Sequence, residues 1–195
     1  MHKCFVAVLI LMSGFCAAPR HPAPAPTARD MADIEAERYA IYSVFLNENF
    51  EDKPNKLLVI QNQTSKDNYL PEEWGSIKVE PSWQAAVDDY KTKNLKPSMI
   101  EDKFKVQTKV VLAPSEEIDR LFAEGGGWWQ AFYKKYPHSP GLITFSNVGF
   151  NLEMTHALVD VSYSCGGLCG RGGLVLLVKK DGKWVKDEDL ITWVS

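Results

Sequence analysis

Residues 165–173 have the sequence Cys-Gly-Gly-Leu-Cys-Gly-Arg-Gly-Gly and connect two apolar segments in the last third of the chain. Residues 155–164 before this stretch and residues 174–180 after it have the apolar alternation and β-branched content of strands. A connection this short favours an antiparallel hairpin, and its glycines can adopt the positive φ angles of a tight turn. The stretch therefore predicts a β-hairpin.

Two more strand candidates, residues 142–148 and 183–194, make the last third of the chain rich in β-structure. Residues 180–183, Lys-Asp-Gly-Lys, contain the Asp-Gly pair of a two-residue hairpin turn. Short connections favour an antiparallel meander, with helices from earlier in the chain packed on one face. We therefore predict an α+β fold in which N-terminal helices pack on a curved antiparallel C-terminal sheet. Cystatin-like and NTF2-like folds are the closest analogies.

The first two thirds of the chain are mainly helical. Helical spacing of apolar residues occurs at 30–47 and 82–94, and shorter helices are predicted to begin near Ser115 and at Trp128. Residues 56–60 form a short strand candidate. Residues 103–112 alternate apolar and polar side chains, which predicts a strand with one solvated, lysine-rich side.

The beginning of the chain has the organisation of an export signal. Residues 1–18 combine a short basic start, an apolar core and small residues before a cleavage point. Residues 19–29 form a Pro/Ala-rich linker, and residues 30–195 are long enough for a single domain. These features predict a secreted or periplasmic protein. The alternative is a membrane-anchored lipoprotein, with Cys16 as the lipid attachment site.

Composition restricts the classes of partner. The formal net charge of −3 gives no indication of nucleic-acid binding. No apolar run approaches the roughly 20 residues that a transmembrane helix needs, so no transmembrane segment is predicted. No cofactor motif is present, which leaves an unknown protein or a small ligand as the expected partner.

Cys165 and Cys169 are the only cysteines after the predicted leader. Two cysteines in an exported chain indicate one disulfide, which is the preferred interpretation. A redox pair is an alternative, although the spacing differs from the Cys-x-x-Cys motif. A zinc site is a third, but His156 lies about 30 Å away along an extended strand. No metal site is therefore predicted.

Three motifs in the last third carry a family resemblance: Ser-Asn-Val-Gly-Phe-Asn at 146–151, Cys-Gly-Gly-Leu-Cys-Gly at 165–170 and Lys-Asp-Gly-Lys-Trp at 180–184. Together with the segment around Trp129, they make residues 128–195 resemble a family of exported bacterial proteins of uncharacterised activity. The resemblance implies export and a C-terminal sheet. It implies no catalytic or binding residue.

No complete catalytic motif occurs, so no catalytic residue is assigned. Residues 166–173, with Arg171, are a candidate nest of backbone N–H groups that binds an anion, and the alternative is a solvated Arg171 at the tip of the turn. Trp128 and Trp129 form a candidate ligand platform. Asp160 and His156 share a strand face, where Asp160 is an acid/base candidate if the face lines a cavity. The preferred interpretation of Asp160 is a solvated side chain.

Two functions from different classes remain. The first is a binding or interaction module that presents a rigid, disulfide-fixed loop to a protein or small ligand at the cell envelope. The second is a small hydrolase or isomerase with an NTF2-like cavity that holds Asp160, His156 or Tyr163. The missing catalytic motif favours the binding module.

Overall fold

The structure is a computed structural model that describes residues 28–50, 57–65, 81–123, 125 and 127–195. The predicted export signal, Cys16 and nearly all of the predicted linker lie outside the described residues.

The described chain contains helices and strands in an α+β arrangement, as predicted. The helices are α1 (Ala28–Phe50), α2 (Pro81–Lys93), α3 (Ser115–Phe122) and α4 (Trp128–Lys135). The strands are β1 (Leu57–Gln61), β2 (Lys109–Ala113), β3 (Leu142–Phe145), β4 (Gly149–Phe150), β5 (His156–Gly166), β6 (Cys169–Lys180) and β7 (Lys183–Val194).

All the strands belong to one sheet with the order β2-β1-β3-β5-β6-β7, and β4 pairs with β5. From β3 onward the pairs are antiparallel, which confirms the predicted antiparallel C-terminal sheet. Two parallel pairs, β1 with β2 and β1 with β3, extend it. The Asp181-Gly182 turn between β6 and β7 is also confirmed, because both residues have the positive φ of a two-residue hairpin, 50° and 74°.

One face of the sheet packs against α1. Alternate residues of β5 and β6, such as Val159, Val161 and Val175, contact buried residues of α1, among them Tyr42 and Leu46. The ring of Tyr42 stacks on that of Phe145 at 4.4 Å between centroids. This side contains the largest part of the core.

The other face is covered as well, so the expectation that the helices share one face is wrong. Leu158, Leu174 and Leu176 pack with α2, and a separate cluster joins Val59 to α3 and α4. The physical reason lies in β6, where Leu174 and Leu176 alternate with Val175 and Leu177, so that both sets of side chains are apolar. A strand that is apolar on both sides needs cover on both faces of its sheet.

The strand predicted at 103–112 is shorter than expected and begins only at Lys109. The residues before it pair with α1 instead of with a strand. Glu101 N–H donates to the Tyr39 hydroxyl at 2.6 Å, and Lys105 N–H donates to Ser43 Oγ at 2.9 Å. The predicted alternation still holds, because Phe104 packs on the α1 cluster while the lysines are exposed.

The motif at 146–151 links the layers. Tyr42 on α1 donates its hydroxyl proton to the Ser146 carbonyl at 2.8 Å. Asn147 N–H donates to Asn94 Oδ1 at 2.7 Å, and Asn94 Nδ2 donates to the Asn147 carbonyl at 3.0 Å. Ser146 Oγ accepts the Asp160 N–H at 2.8 Å. The motif therefore has a structural role between α1, α2 and the sheet.

Glu37 connects α1 to the far strands of the sheet. Its carboxylate accepts hydrogen bonds from Lys179 Nζ on β6 and from Trp184 Nε1 on β7. Burial opposes ionisation of Glu37, but these two hydrogen bonds outweigh it and hold the pKa of the carboxyl below its ordinary value. A lowered pKa in the folded state stabilises the fold above the ordinary glutamate pKa of about 4.3.

We expect Glu37→Gln to lower the free energy of unfolding by about 1 kcal/mol near neutral pH, allowing for solvent screening. The difference from the parent protein should disappear as the pH falls through the folded pKa of Glu37, because the parent carboxyl is then protonated as well. Urea unfolding at a series of pH values measures this. Glu116→Gln, at an exposed acid on α3, is the control. A pH-independent difference would contradict the assignment.

Candidate functional site

The glycine-rich stretch forms the tip of the β5–β6 hairpin. The ladder continues to the pair Gly166–Cys169, so only Gly167 and Leu168 make the turn. Cys165 and Cys169 form a disulfide, with Cα atoms 5.1 Å apart, as predicted. The disulfide therefore fixes the very end of two long strands.

Most glycines of this stretch lie in the strands and not in the turn. Among the described residues, glycines with positive φ occur only at 125, 127, 141 and 182, so no backbone nest forms around Arg171. A Cβ atom on Gly172 would lie 2.2 Å from Trp193 Nε1, and one on Gly173 would lie 2.1 Å from the Leu190 carbonyl oxygen. Glycine is required here because β7 and its tryptophan approach the backbone closely.

Hydrogen bonds hold the hairpin to the rest of the domain. The Tyr133 hydroxyl on α4 donates to the Cys165 carbonyl at 2.8 Å, and the Tyr163 hydroxyl donates to the Pro140 carbonyl at 2.7 Å. On the α1 side, Arg171 donates to Asn49 Oδ1 at 2.7 Å. The tip is thus anchored to helices on both faces of the sheet.

A groove of about 330 Å³ lies between the C-terminal end of α1 and this hairpin, and we call it the hairpin groove. Its walls include the rings of Phe45, Phe50 and Tyr163, with Val194 and the disulfide at its end. Phe50 and Tyr163 are 5.6 Å apart between ring centroids. A narrower cavity of about 40 Å³ continues it, because Phe45, Tyr163 and Arg171 line both.

Arg171 brings a positive charge to the groove. Within the described residues it makes no ion pair, and it donates a hydrogen bond to the neutral amide of Asn49. The nearby acids Glu48 and Asp189 pair instead with Lys186, at 3.3 and 2.9 Å. Burial raises the pKa of Tyr163, while the Arg171 charge opposes that rise.

Exposed apolar side chains surround the same end of the sheet. Leu168 at the hairpin tip is 93% exposed, Val194 is 72% exposed and Ile191 is 62% exposed. Val194 pairs with Arg171, and Ser195 N–H donates to the Gly170 carbonyl at 3.0 Å. These residues are therefore close to the groove and to the disulfide.

Asp160 lies on the predicted face of β5 with His156 and Leu158, but that face is covered by α2. Asp160 is only 8% exposed, so the preferred interpretation of a solvated side chain is wrong. Burial raises the pKa of Tyr90 on α2, and the negative charge of Asp160 adds to that rise. His156 packs edge-on against Trp83, 4.8 Å between ring centroids. Neither Asp160 nor His156 lines the hairpin groove or the cavity that continues it.

The two tryptophans of the predicted platform belong to α4, on the sheet face away from the hairpin groove. Trp129 is half-buried and packs on Phe122 and Phe132, with ring centroids 4.8 and 5.2 Å away. Trp128 is 59% exposed. Of the five candidate residues, only Arg171 lines the hairpin groove.

The groove residues of α1 were not predicted as site residues. Phe45, Asn49 and Phe50 have the helical spacing of ordinary core residues, and their position opposite Arg171 depends on how α1 crosses the sheet. The one signal in the sequence was an aromatic residue, Phe50, shortly after the end of the helix predicted at 30–47.

No family model, curated protein or solved structure matches this chain. None of the described helices has the length and hydropathy of a membrane span. In the described part of the chain, no group of three or more His, Cys, Asp or Glu side chains is arranged to hold a metal ion.

Proposed function

We propose that this protein is a binding module that docks an extended segment of a partner protein along the outer edge of β7, beside the disulfide-fixed hairpin tip. Export, indicated by residues 1–18 and by the family resemblance, would place this interaction at or outside the cell envelope. A lipid anchor at Cys16 would add attachment to the membrane. The single observation that carries the proposal is the uneven distribution of charge along β7.

Strand β7 is at one end of the sheet order, and among the described strands it pairs only with β6. Its first seven residues include five charged side chains: Lys183, Lys186, Asp187, Glu188 and Asp189. Charges of this kind protect an edge strand from unwanted pairing. Residues 190–194, Leu-Ile-Thr-Trp-Val, carry no charge, and we call them the uncharged end of β7.

The uncharged end of β7 has the properties of a pairing surface. Ile191 and Val194 expose most of their surface, and Leu168 extends the apolar area beyond the strand. A peptide strand added here would gain main-chain hydrogen bonds from β7 and side-chain contacts with these residues. Because the disulfide fixes the hairpin tip before binding, less ordering is required on association.

The alternative of a small hydrolase or isomerase lacks a supporting observation. It requires Asp160, His156 or Tyr163 to line an internal cavity. Asp160 is buried under α2, and His156 packs on Trp83. Tyr163 alone reaches a cleft, and its hydroxyl donates to the Pro140 carbonyl.

Selection from a library of random linear peptides tests the proposal. We expect the folded, oxidised protein to enrich sequences with alternating apolar and β-branched residues. Ile191→Lys places a charge in the uncharged end of β7 and should weaken binding of the enriched peptides at least tenfold.

Leu95→Lys is the matched control, because Leu95 is also largely exposed but follows α2, outside the hairpin end. It should leave the affinities unchanged. Enriched peptides that bind Ile191→Lys as well as the parent protein would contradict the proposal, as would a selection without any enriched sequence.

A further inference from the structure

The hairpin groove differs from the edge of β7 in shape and in charge. It is a concave site on the α1 side of the sheet, whereas the uncharged end of β7 is an open strand edge. The groove combines an aromatic lining with one cation, Arg171. Ligand sites commonly have this organisation, with mostly apolar walls and a few polar groups that fix orientation.

The walls of the groove fit an apolar tail. Phe45 and Phe50 approach each other to 6.4 Å between ring centroids, and Phe50 and Tyr163 to 5.6 Å. The Tyr163 hydroxyl donates its proton to the Pro140 carbonyl at 2.7 Å, so this polar group is already paired. The ring of Tyr163 lines the groove as an apolar wall. A chain of methylene groups can pack on all three rings.

The charge of Arg171 fits an anionic head group. Lys186 pairs with both Glu48 and Asp189. Among the residues that the structure describes, no acid pairs with Arg171, and its hydrogen bond to Asn49 leaves other guanidinium donors available. Asn49 is itself held by a 2.8 Å hydrogen bond from its Nδ2 to the Phe45 carbonyl, so the Arg171 position is fixed before a ligand arrives.

The size of the groove limits the ligand. A volume of about 330 Å³ is at the lower end of the range of about 300–1,000 Å³ that small-molecule pockets have. The groove therefore suits a small ligand, and we take an eight-carbon carboxylate as the test case. A carboxylate can also accept two parallel hydrogen bonds from one guanidinium.

We infer that the hairpin groove binds a free medium-chain carboxylic acid, with the carboxylate on Arg171 and the alkyl chain against Phe45, Phe50 and Tyr163. This inference goes beyond the proposed docking of a partner strand, because it assigns a small ligand to the concave groove, which meets the uncharged end of β7 at Val194. Either one can hold without the other.

Titration calorimetry of the oxidised protein with straight-chain carboxylates of four to twelve carbons tests the inference. We expect the affinity to rise about fourfold with each added methylene until the groove is filled near eight carbons, and then to level off. Octanol has the same tail without the charge, and it should bind at least tenfold more weakly than octanoate. In NMR spectra, bound octanoate should show nuclear Overhauser effects to the ring protons of Phe50 and Tyr163.

Variants of Arg171 separate the ligand contact from a role in folding. Arg171→Ala should weaken octanoate binding at least tenfold. The affinity of Arg171→Lys should lie between those of Arg171→Ala and the parent protein, because lysine keeps the charge without the paired donors. Arg120→Ala, at an exposed arginine on α3, should bind octanoate normally. An unchanged unfolding midpoint of Arg171→Lys would show that its weaker binding is not a loss of structure.

Three results would overturn the inference. The first is equal affinity for octanol and octanoate, and the second is unchanged octanoate binding by Arg171→Ala. The third is binding of peptides with a free C-terminal carboxylate without any binding of octanoate, which would assign the groove to a protein terminus. Loss of peptide selection at β7, in contrast, would affect only the proposed function.

Discussion

Replacing Gly149 by alanine is expected to lower the free energy of unfolding by about 3 kcal/mol. Gly149 on β4 lies directly under α2. A Cβ atom at this position would be 2.3 Å from the Ala86 carbonyl oxygen and 2.4 Å from Tyr90 Cβ. Both obstacles belong to the helix itself, so the clash can be relieved only by moving α2 away from the sheet. Chemical denaturation followed by circular dichroism measures the effect.

Gly167→Ala is the matched control for this prediction. Gly167 lies in the hairpin turn without positive φ, and a Cβ atom there would have no neighbour within 4 Å. Its replacement should change the free energy of unfolding by less than about 0.5 kcal/mol. Equal stability of Gly149→Ala and Gly167→Ala would contradict the packing of α2 on the second face of the sheet.

The second large effect is expected at Phe132 on α4, where replacement by alanine should lower the free energy of unfolding by about 4 kcal/mol. Phe132 is completely buried in the cluster under α3 and α4. Its ring is 5.2 Å from that of Trp129 and 5.2 Å from that of Tyr136, between centroids. Removal of the ring leaves a cavity that these neighbours cannot fill without leaving their own contacts.

Trp128→Ala provides the comparison, since Trp128 is on the same helix but more than half exposed. For this variant we expect the free energy of unfolding to change by less than about 1 kcal/mol. Chemical denaturation of both variants under the same conditions measures the two changes in the free energy of unfolding. If Trp128→Ala were the more damaging change, the assignment of Phe132 as the centre of this cluster would be wrong.

The sequence was most informative for local features of the last third of the chain. The antiparallel β5–β6–β7 arrangement follows from alternation and short connections, and the Asp181-Gly182 turn follows from the backbone preferences of those residues. The disulfide follows from Cys165 and Cys169 being the only cysteines after the predicted leader. Each of these features depends on neighbours in the chain, and for that reason each could be predicted.

Features that depend on distant parts of the chain could not be predicted in this way. The glycines of β6 resemble turn residues in sequence, but Gly172 is needed because Trp193 lies over it. Asp160 resembles a solvated residue of an alternating strand, but α2 covers its face. The hairpin groove arises where α1 crosses the end of the sheet, which no local pattern specifies.

The motif at 146–151 acquires a physical explanation from the structure. Ser146 accepts a hydrogen bond from Tyr42 on α1, whereas Asn147 bonds Asn94 just after α2 and Gly149 lets α2 approach the sheet closely. Residues 165–170 form a covalently fixed tip. We propose that proteins sharing these motifs share this scaffold, and that their binding differences lie in residues such as Leu168, Arg171 and Ile191.

The most direct test of the central claim, that the hairpin end of the sheet is the binding surface, is site-specific photo-crosslinking in the cells that make the protein. A photoreactive amino acid replaces Leu168 in one variant and Leu152 in the other; these side chains are 93% and 92% exposed. We expect a discrete crosslinked protein from position 168 only, and its loss when Ile191→Lys is added. Equal crosslinking from both positions, or none from position 168, would contradict the claim.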